Sequence, residues 1–184
     1  TGYELKAIFQ PRLLNEAQRP SDFWLPMLGL FTGGRISELA QLDISDIQQC
    51  DGIWAISINS DGDKSLKTRA STRSIPIHTT LLECGFLEYV EDAKVHGTKL
   101  FPYLAPDVFG SYGGTPSARW GKYLDNLGIQ DRQKVFHSFR STSNDKLKQN
   151  SVPEETRCQF IGHEYDTINS AVYSRPHGLH YLME

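Results

Sequence analysis

The hydrophobic spacing of this chain changes once, and that change constrains the fold class more than any other feature. Over most of the sequence apolar residues recur every three or four positions, as helices require. Leu5, Ile8 and Phe9 do so at the start, with Leu13 and Leu14 beyond Pro11, a pattern for one or two short helices. Pro20-Ser21-Asp22 is a helix-start signal, followed by Phe23, Trp24, Met27, Leu28 and Phe31 and then the Gly33-Gly34 stop. A new helix is expected from about Arg35 through Ile36, Leu39 and Leu42. Beyond the acidic residues 43–51 the period drops to two. Trp54, Ile56 and Ile58 alternate with Ala55 and Ser57, and Arg73-Ser74-Ile75-Pro76-Ile77 reads as a second strand, with Asp61-Gly62-Asp63 as a hairpin loop. Pro76 cannot donate to a ladder and belongs at an edge or strand end.

Helical spacing then resumes. Thr79 or Thr80 is the expected cap of a helix that buries Leu81, Leu82, Phe86, Tyr89 and Val90. Residues 97–115 hold Gly97, Gly110, Gly113, Gly114, Pro102 and Pro106 and read as a long irregular loop, a class that is usually functional or mobile. Helices are expected over residues 116–127 and 137–148, a third opened by a capping box at Ser151-Val152-Pro153-Glu154, and a last one over residues 168–173. The expected fold is mainly α with a small antiparallel β-sheet, in one domain over residues 1–184. A chain of 184 residues buries roughly 70% of its unfolded surface and needs no disulfide or metal to hold it. Cys50, Cys84 and Cys158 are odd in number with no Cys-x-x-Cys, so reduced structural cysteines in a cytoplasmic protein are expected. No run approaches 18 apolar residues, which excludes a spanning helix. The opening Thr1-Gly2-Tyr3 has neither a secretion-signal layout nor an initiator Met, and a segment of a longer chain is expected.

The net charge of −3 excludes a wholly basic DNA binder but hides strong segregation. Lys64, Lys67, Arg69 and Arg73 fall in residues 64–78 with no acid. Residues 115–150 carry Arg119, Lys122, Arg132, Lys134, Arg140, Lys146 and Lys148 against three aspartates. Residues 36–63 hold Glu38, Asp43, Asp46, Asp51, Asp61 and Asp63 and no base. The segregation is compatible with solvated faces or with a phosphate-binding cleft, and charge alone does not choose.

Several short motifs fail. Gly121-Lys122 lacks the remaining residues of a phosphate loop, and His163-Glu164 has Thr167 where a zinc-protease helix needs its second histidine. His177 and His180 share one helical turn but have no third ligand nearby, so no metal is expected. Three patches remain: Thr32-Gly33-Gly34-Arg35-Ile36-Ser37-Glu38-Leu39, His137-Ser138-Phe139-Arg140, and Ile161-Gly162-His163 with Tyr173 ten residues later. Two guanidinium groups match the non-bridging oxygens of a phosphodiester with paired hydrogen bonds. Preorganised donors of that kind are worth about 3–4 kcal/mol of barrier each. Tyrosine is a covalent nucleophile, but with a reference pKa of about 10 it needs cations or a base beside it.

Taken in this order, the three patches resemble the tyrosine recombinases, the phage-integrase family, over residues 31–173. Lys67-Thr68-Arg69-Ala70-Ser71-Thr72-Arg73-Ser74-Ile75-Pro76-Ile77 is similar to that family's β-hairpin with its catalytic lysine. The resemblance implies that Tyr173 attacks the scissile phosphate to give a 3′-phosphotyrosyl link and a free 5′-hydroxyl. It implies that Arg35 and Arg140 hold the non-bridging oxygens and that Lys67 protonates the leaving oxygen, with Lys64 in the same loop as the alternative. His137 would assist proton transfer around the tyrosine, His163 would hydrogen-bond the phosphate, and Glu38 would orient Arg35. Tyr165 and Tyr181 are rival nucleophiles at less suitable distances from Gly162-His163. Lys64, Arg69, Arg73, Arg119 and Lys122 are expected to contact DNA.

By the same resemblance the expected partner is double-stranded DNA, with no metal or other cofactor, in a bacterial cytoplasm at the nucleoid. The family's upstream DNA-clamping domain has no room before residue 20, and only eleven residues follow Tyr173. Weaker DNA binding and a monomer are therefore expected of this chain, with oligomers on DNA for the full-length protein. The alternatives are a type IB topoisomerase-like relaxation activity, a DNA-binding regulator without catalysis, and a helical protein-interaction domain.

Overall fold

The structure, a computed structural model, describes residues 2–10, 17–164 and 177–183, with Arg69 described by its backbone only. Helices α1 (Gly2–Ile8), α2 (Pro20–Thr32) and α3 (Ile36–Ala40) precede a sheet of β1 (Ile47–Cys50), β2 (Ile53–Ile58) and β3 (Arg73–Pro76). Then follow α4 (Thr79–Glu83), α5 (Phe86–Ala93), α6 (Gly114–Asn126), α7 (Ser138–Gln149), α8 (Glu154–Ile161) and α9 (Leu179–Met183). The expected second half of the N-terminal helix, around Leu13, and the expected helix over residues 168–173 lie outside the described residues. Among the described residues no helix is long and apolar enough to cross a membrane.

The sheet is antiparallel in the order β1-β2-β3, so it has one strand more than the sequence pattern indicates. Gln48 pairs with Ala55 and Ser57 with Ser74. In β1 only Ile47 is buried, so the strand shows no alternation to read. Its signal was the turn instead. Asp51 and Gly52 both have positive φ, 52° and 81°, the geometry of the two-residue hairpin that an Asp-Gly pair favours. Asp61-Gly62-Asp63 instead opens a long excursion, residues 59–72, between β2 and β3. Pro76 ends β3, an edge strand, where its missing donor costs no ladder bond.

Two other expectations need correction. The helix expected after Thr79 is two helices, because Gly85 at φ 85° interrupts it, and its cap is His78, whose Nδ1 accepts from the Thr80 amide at 3.1 Å. Ser151 forms no capping box. It takes φ 60° and closes the end of α7 by donating its amide to Lys148, and α8 starts from Pro153.

One hydrophobic core unites these elements. Leu25 and Leu28 of α2, Leu39 of α3, Ile56 and Ile58 of β2, Ile75 of β3, and Leu81 and Phe86 are all essentially inaccessible. The loop over residues 97–113 contributes Leu100, Phe101, Leu104 and Tyr112, so it is anchored rather than free. An aromatic cluster of Trp120, Phe136 and Phe139 joins α6 and α7 to α2. A Cβ at Gly29 would lie 2.7 Å from the Phe136 ring, so only glycine lets α2 approach this closely.

The hairpin turn is testable against a helix position. A Cβ meets nothing at either Gly52 or Gly121, so space does not distinguish them. Gly52→Ala forces an L-residue into the left-handed region and should destabilise the chain by about 1 kcal/mol. Gly121→Ala, inside α6, should stabilise it by about 0.5–1 kcal/mol. Urea denaturation of the two variants should give shifts of opposite sign.

Candidate active site

Arg140 projects from the first turn of α7 and is 2% exposed, an unusual position for a charged side chain. No carboxylate bonds to it among the described residues. Its guanidinium lies instead across the C-terminal ends of two helices, where the last carbonyls lack partners within the helix and carry the negative end of the helix dipole. Nη1 donates to Gly33 O at the end of α2 (3.0 Å) and to Ile161 O in α8, and Nη2 donates to Gly162 O at 2.8 Å. Both helices end in left-handed glycines, Gly33 at φ 60° and Gly162 at φ 77°. These glycines are also needed for space. A Cβ at Gly33 would lie 2.6 Å from Ile161 Cδ1, and one at Gly162 would lie 2.6 Å from Arg73 Nη1.

The fourth bond of Arg140 runs from Nε to His163 Nε2 at 3.1 Å. Accepting there requires a neutral imidazole with its proton on Nδ1. His137 is the exposed N-cap of α7, one turn before Arg140. Partial burial and the charges of Arg140, Arg35 and Lys67 hold the His137 pKa below its usual value. Partial burial, Arg140, Arg35, His137 and Arg73 do the same for His163. Burial, followed by the charges of Arg35 and Arg73, pulls Arg140 down to about 10, still cationic at neutral pH. Arg35, His137, Arg140 and His163, drawn from the described residues of the three patches, therefore share one electrostatic site, and the charge of Lys67, exposed in the β2–β3 excursion, also acts on His137.

Behind this surface sits one acid. Glu38 is 2% exposed and takes Arg35 Nη1 at 2.5 Å, the Arg35 amide at 3.1 Å and Arg73 Nη2 at 3.1 Å. Burial pushes its pKa up, but the Arg73 charge and the bonds from Arg35 outweigh it, and the net shift is downward. Arg35 Nη1 also donates to the buried Ser71 Oγ at 3.0 Å. Its Nε and Nη2 have no partner among the described residues, and its side chain is 21% exposed.

Three of the residues expected to contact DNA are bonded within the protein. Arg73 is buried and bonded to Glu38, Phe160 O and Ser71 O. Lys64 is buried between Asp43 and Asp46, whereas Lys67 in the same loop is exposed. Arg119 ties α6 to the start of α2 through Asp22 at 2.7 Å and Ser21 at 2.8 Å. Lys122 is exposed. Tyr173 and Tyr165 lie outside the described residues. The described residues on either side are anchored, His163 by Arg140 and His177 by paired bonds to Gln159 at 2.8 Å. Tyr181 stacks on His177 in the last helix, 4.3 Å between ring centroids. A cavity of about 310 Å³ between α2 and α6, beside Ser21, Arg119 and Trp120, is lined by none of the clustered residues. Among the described residues no three metal-ligating side chains converge. Sequence reasoning missed Ser71 and the structural role of Arg73, which nothing in their spacing signals.

Two outcomes follow from this geometry. Glu38→Gln leaves two guanidinium groups beside a neutral amide and should cost about 3 kcal/mol or more, read by denaturant unfolding. The double variant with Arg73→Met should recover part of that loss, because the buried charge left behind is then removed as well. The second outcome concerns pH. A histidine with a lowered folded pKa binds fewer protons folded than unfolded, so its contribution is intact above the unfolded value of about 6.5 and is lost as pH falls below it. Stability should therefore drop as pH falls below about 6.5. His163→Gln, whose carbonyl still accepts from Arg140, should show a shallower drop in the same titration.

The phage integrase family profile matches residues 11–177. No curated protein sequence matches the chain. Among solved structures, the chain is similar to the XerH site-specific recombinase bound to its difH substrate in a pre-cleavage complex. That likeness has 17% identity and a TM-score of 0.63, over 93% of this chain and 48% of that one. It is similar to the Tn1549 transposon integrase in complex with transposon right-end DNA, with 17% identity and a TM-score of 0.63, over 96% of this chain and 61% of that one. A third likeness is to the integrase from mycobacterium phage Brujita, with 17% identity and a TM-score of 0.51, over 80% of this chain and 44% of that one. At these identities the likeness is one of fold, and the chain spans about half the length of XerH. With a match from residue 11 to residue 177, the chain belongs to the phage integrase family.

Proposed function

We propose that this chain is the catalytic part of a site-specific DNA recombinase, which cuts and rejoins duplex DNA through a 3′-phosphotyrosyl intermediate. The observation that carries the reading is the convergence of Arg35, Lys67, His137, Arg140 and His163 on one patch, with Glu38, the one carboxylate paired with Arg35 among the described residues, buried behind it. Such a patch suits a phosphodiester whose transition state gathers negative charge on its non-bridging oxygens.

Each group then has a distinct task. Arg35 offers Nε and Nη2 to a non-bridging oxygen, and Arg140 offers its one remaining Nη2 N–H. By accepting from Arg140 at Nε2, His163 keeps its proton on Nδ1, available to donate to the phosphate. The depressed pKa of His137 leaves its ring neutral at pH 7 and able to take a proton. Tyr173 Oη attacks phosphorus and releases its proton toward His137. As the P–O5′ bond breaks, Lys67 Nζ gives a proton to the leaving oxygen, which departs as a 5′-hydroxyl. Rejoining runs the same steps in reverse, and the covalent link conserves the bond energy. This sequence of steps draws on no metal ion, cofactor or nucleotide.

Duplex DNA would be held chiefly through its phosphates, with Lys122 and Arg69 as further contacts, so affinity should fall steeply with salt. On this reading the chain is a monomer in solution that oligomerises on DNA as part of the full-length protein, in the bacterial cytoplasm at the nucleoid.

The test is covalent trapping. Nicked duplexes tiled across the DNA flanking the coding sequence are incubated with the chain and with Tyr173→Phe, then resolved on a denaturing gel. A protein–DNA band that Tyr173→Phe abolishes is expected. A band that survives the substitution would move the nucleophile to Tyr165 or Tyr181. DNA binding without any band would favour a regulator that has lost catalysis.

A further inference from the structure

The acid-rich stretch before β2 has no place in the chemistry above, yet two of its acids are among the most tightly bonded in the molecule. Asp46 Oδ1 and Oδ2 each lie 2.7 Å from Lys64 Nζ, and Asp43 Oδ2 lies 3.0 Å from it. Asp46 also takes Asn59 Nδ2 at 2.7 Å and the Asp43 amide at 2.8 Å. Next along the chain, Ser65 is gripped by Gln41. Gln41 Nε2 donates to Ser65 O at 2.9 Å, and the Ser65 amide donates to Gln41 Oε1 at 3.0 Å. Gln41 is 4% exposed, so its amide imitates a rung of β-ladder inside the protein. Just before Lys64, Asp63 takes Lys99 Nζ at 2.5 Å and Tyr112 Oη at 2.8 Å, and Lys99 returns to Asp43 at 3.1 Å.

Three consecutive residues of the β2–β3 excursion, 63 to 65, are thus each held by a different distant partner. The excursion is held again at Ser71, which bonds to Arg35, and just beyond it at Arg73, the first residue of β3, which bonds to Glu38. Lys67 lies between the two grips and is exposed. A loop of this length would ordinarily sample many conformations, and fixing it costs about 1–2 kcal/mol per residue of backbone entropy. Neither Lys64 nor Gln41 hydrogen-bonds to Arg35, Lys67, His137, Arg140 or His163.

We propose that Lys64, clamped between Asp43 and Asp46, and Gln41, clamped on Ser65, are positioning residues that hold the Lys67 ammonium at the leaving 5′-oxygen. The inference rests on the recombinase reading. In the cleavage step one proton moves from Lys67 Nζ to O5′ as the P–O5′ bond breaks. A misplaced lysine leaves an alkoxide to depart unprotonated, whereas a sulfur at that bridging position leaves as a thiolate without needing a proton, because a thiol (about 8.5 for cysteine) is far more acidic than an alcohol. A general acid is worth about 10²–10⁴-fold, so partial misplacement should cost about tenfold or more.

The experiment measures single-turnover cleavage of two nicked duplexes, identical except for oxygen or sulfur at the 5′-bridging position of the mapped scissile phosphate. The chain is compared with Gln41→Ala, Lys64→Met, Lys67→Ala and Arg35→Ala. Gln41→Ala and Lys64→Met should slow the oxygen substrate about tenfold or more and the sulfur substrate less than about threefold, as a smaller version of the Lys67→Ala pattern. Arg35→Ala should slow both. Gln41→Ala removes no charge, so it keeps the test open if Lys64→Met fails to fold. Equal slowing of both substrates, or no slowing of either, in the folded positioning variants would overturn the proposal. Loss of the sulfur preference in Lys67→Ala would also overturn it while leaving the recombinase reading intact. Cleavage of neither substrate by the unaltered chain would sink both.

Discussion

The site depends on one buried cation held by helix ends rather than by a carboxylate. Arg140 satisfies four of its five N–H groups on Gly33 O, Ile161 O, Gly162 O and His163 Nε2. Placing an arginine where two helices terminate uses carbonyls that would otherwise need water. It also welds the end of α2, the start of α7 and the end of α8 into one unit. The glycines at the two helix ends follow from this arrangement, since both need positive φ and neither position has room for a Cβ. His163 inherits its orientation from the same guanidinium.

The charge segregation along the chain resolves into pairing. Glu38 goes to Arg35 and Arg73, Asp43 and Asp46 to Lys64, and Asp63 to Lys99. Four of the six acids in residues 36–63 are therefore paired with bases inside the protein. After that pairing Lys67 stays exposed, and Arg35 keeps Nε and Nη2 without partners among the described residues. A patch of clustered cations is easier to fold when its neighbouring cations are neutralised internally, because like charges crowded together oppose the compact state.

Much of the architecture was legible. The helical spacing of α2, α6 and α7, the alternation in β2, the placement of Pro76 and the Gly33-Gly34 stop all rest on local rules of period and turn chemistry. The misses have physical causes. β1 buries one side chain and so carries no alternation, while its Asp-Gly turn was present and unread. The helix after Thr79 divides because a single glycine takes a left-handed conformation that helical spacing alone does not reveal. Ser151 has the right spacing for a capping box, but its backbone is committed to ending the previous helix.

The sequence by itself determined the class of fold and the family, and it named Arg35, His137, Arg140 and His163, which the fold brings together. Residue type and spacing express local backbone preference, and each patch lies within a short stretch of chain. Only the tertiary structure decided which bases face outward. Lys64 and Lys67 are three residues apart in one loop and chemically identical, yet one is buried between two aspartates and the other is exposed. Arg73 reads as a surface cation and is a buried partner of Glu38. Those differences come from contacts between residues more than fifteen positions apart, and the cost of burying a charge depends on what the fold places around it.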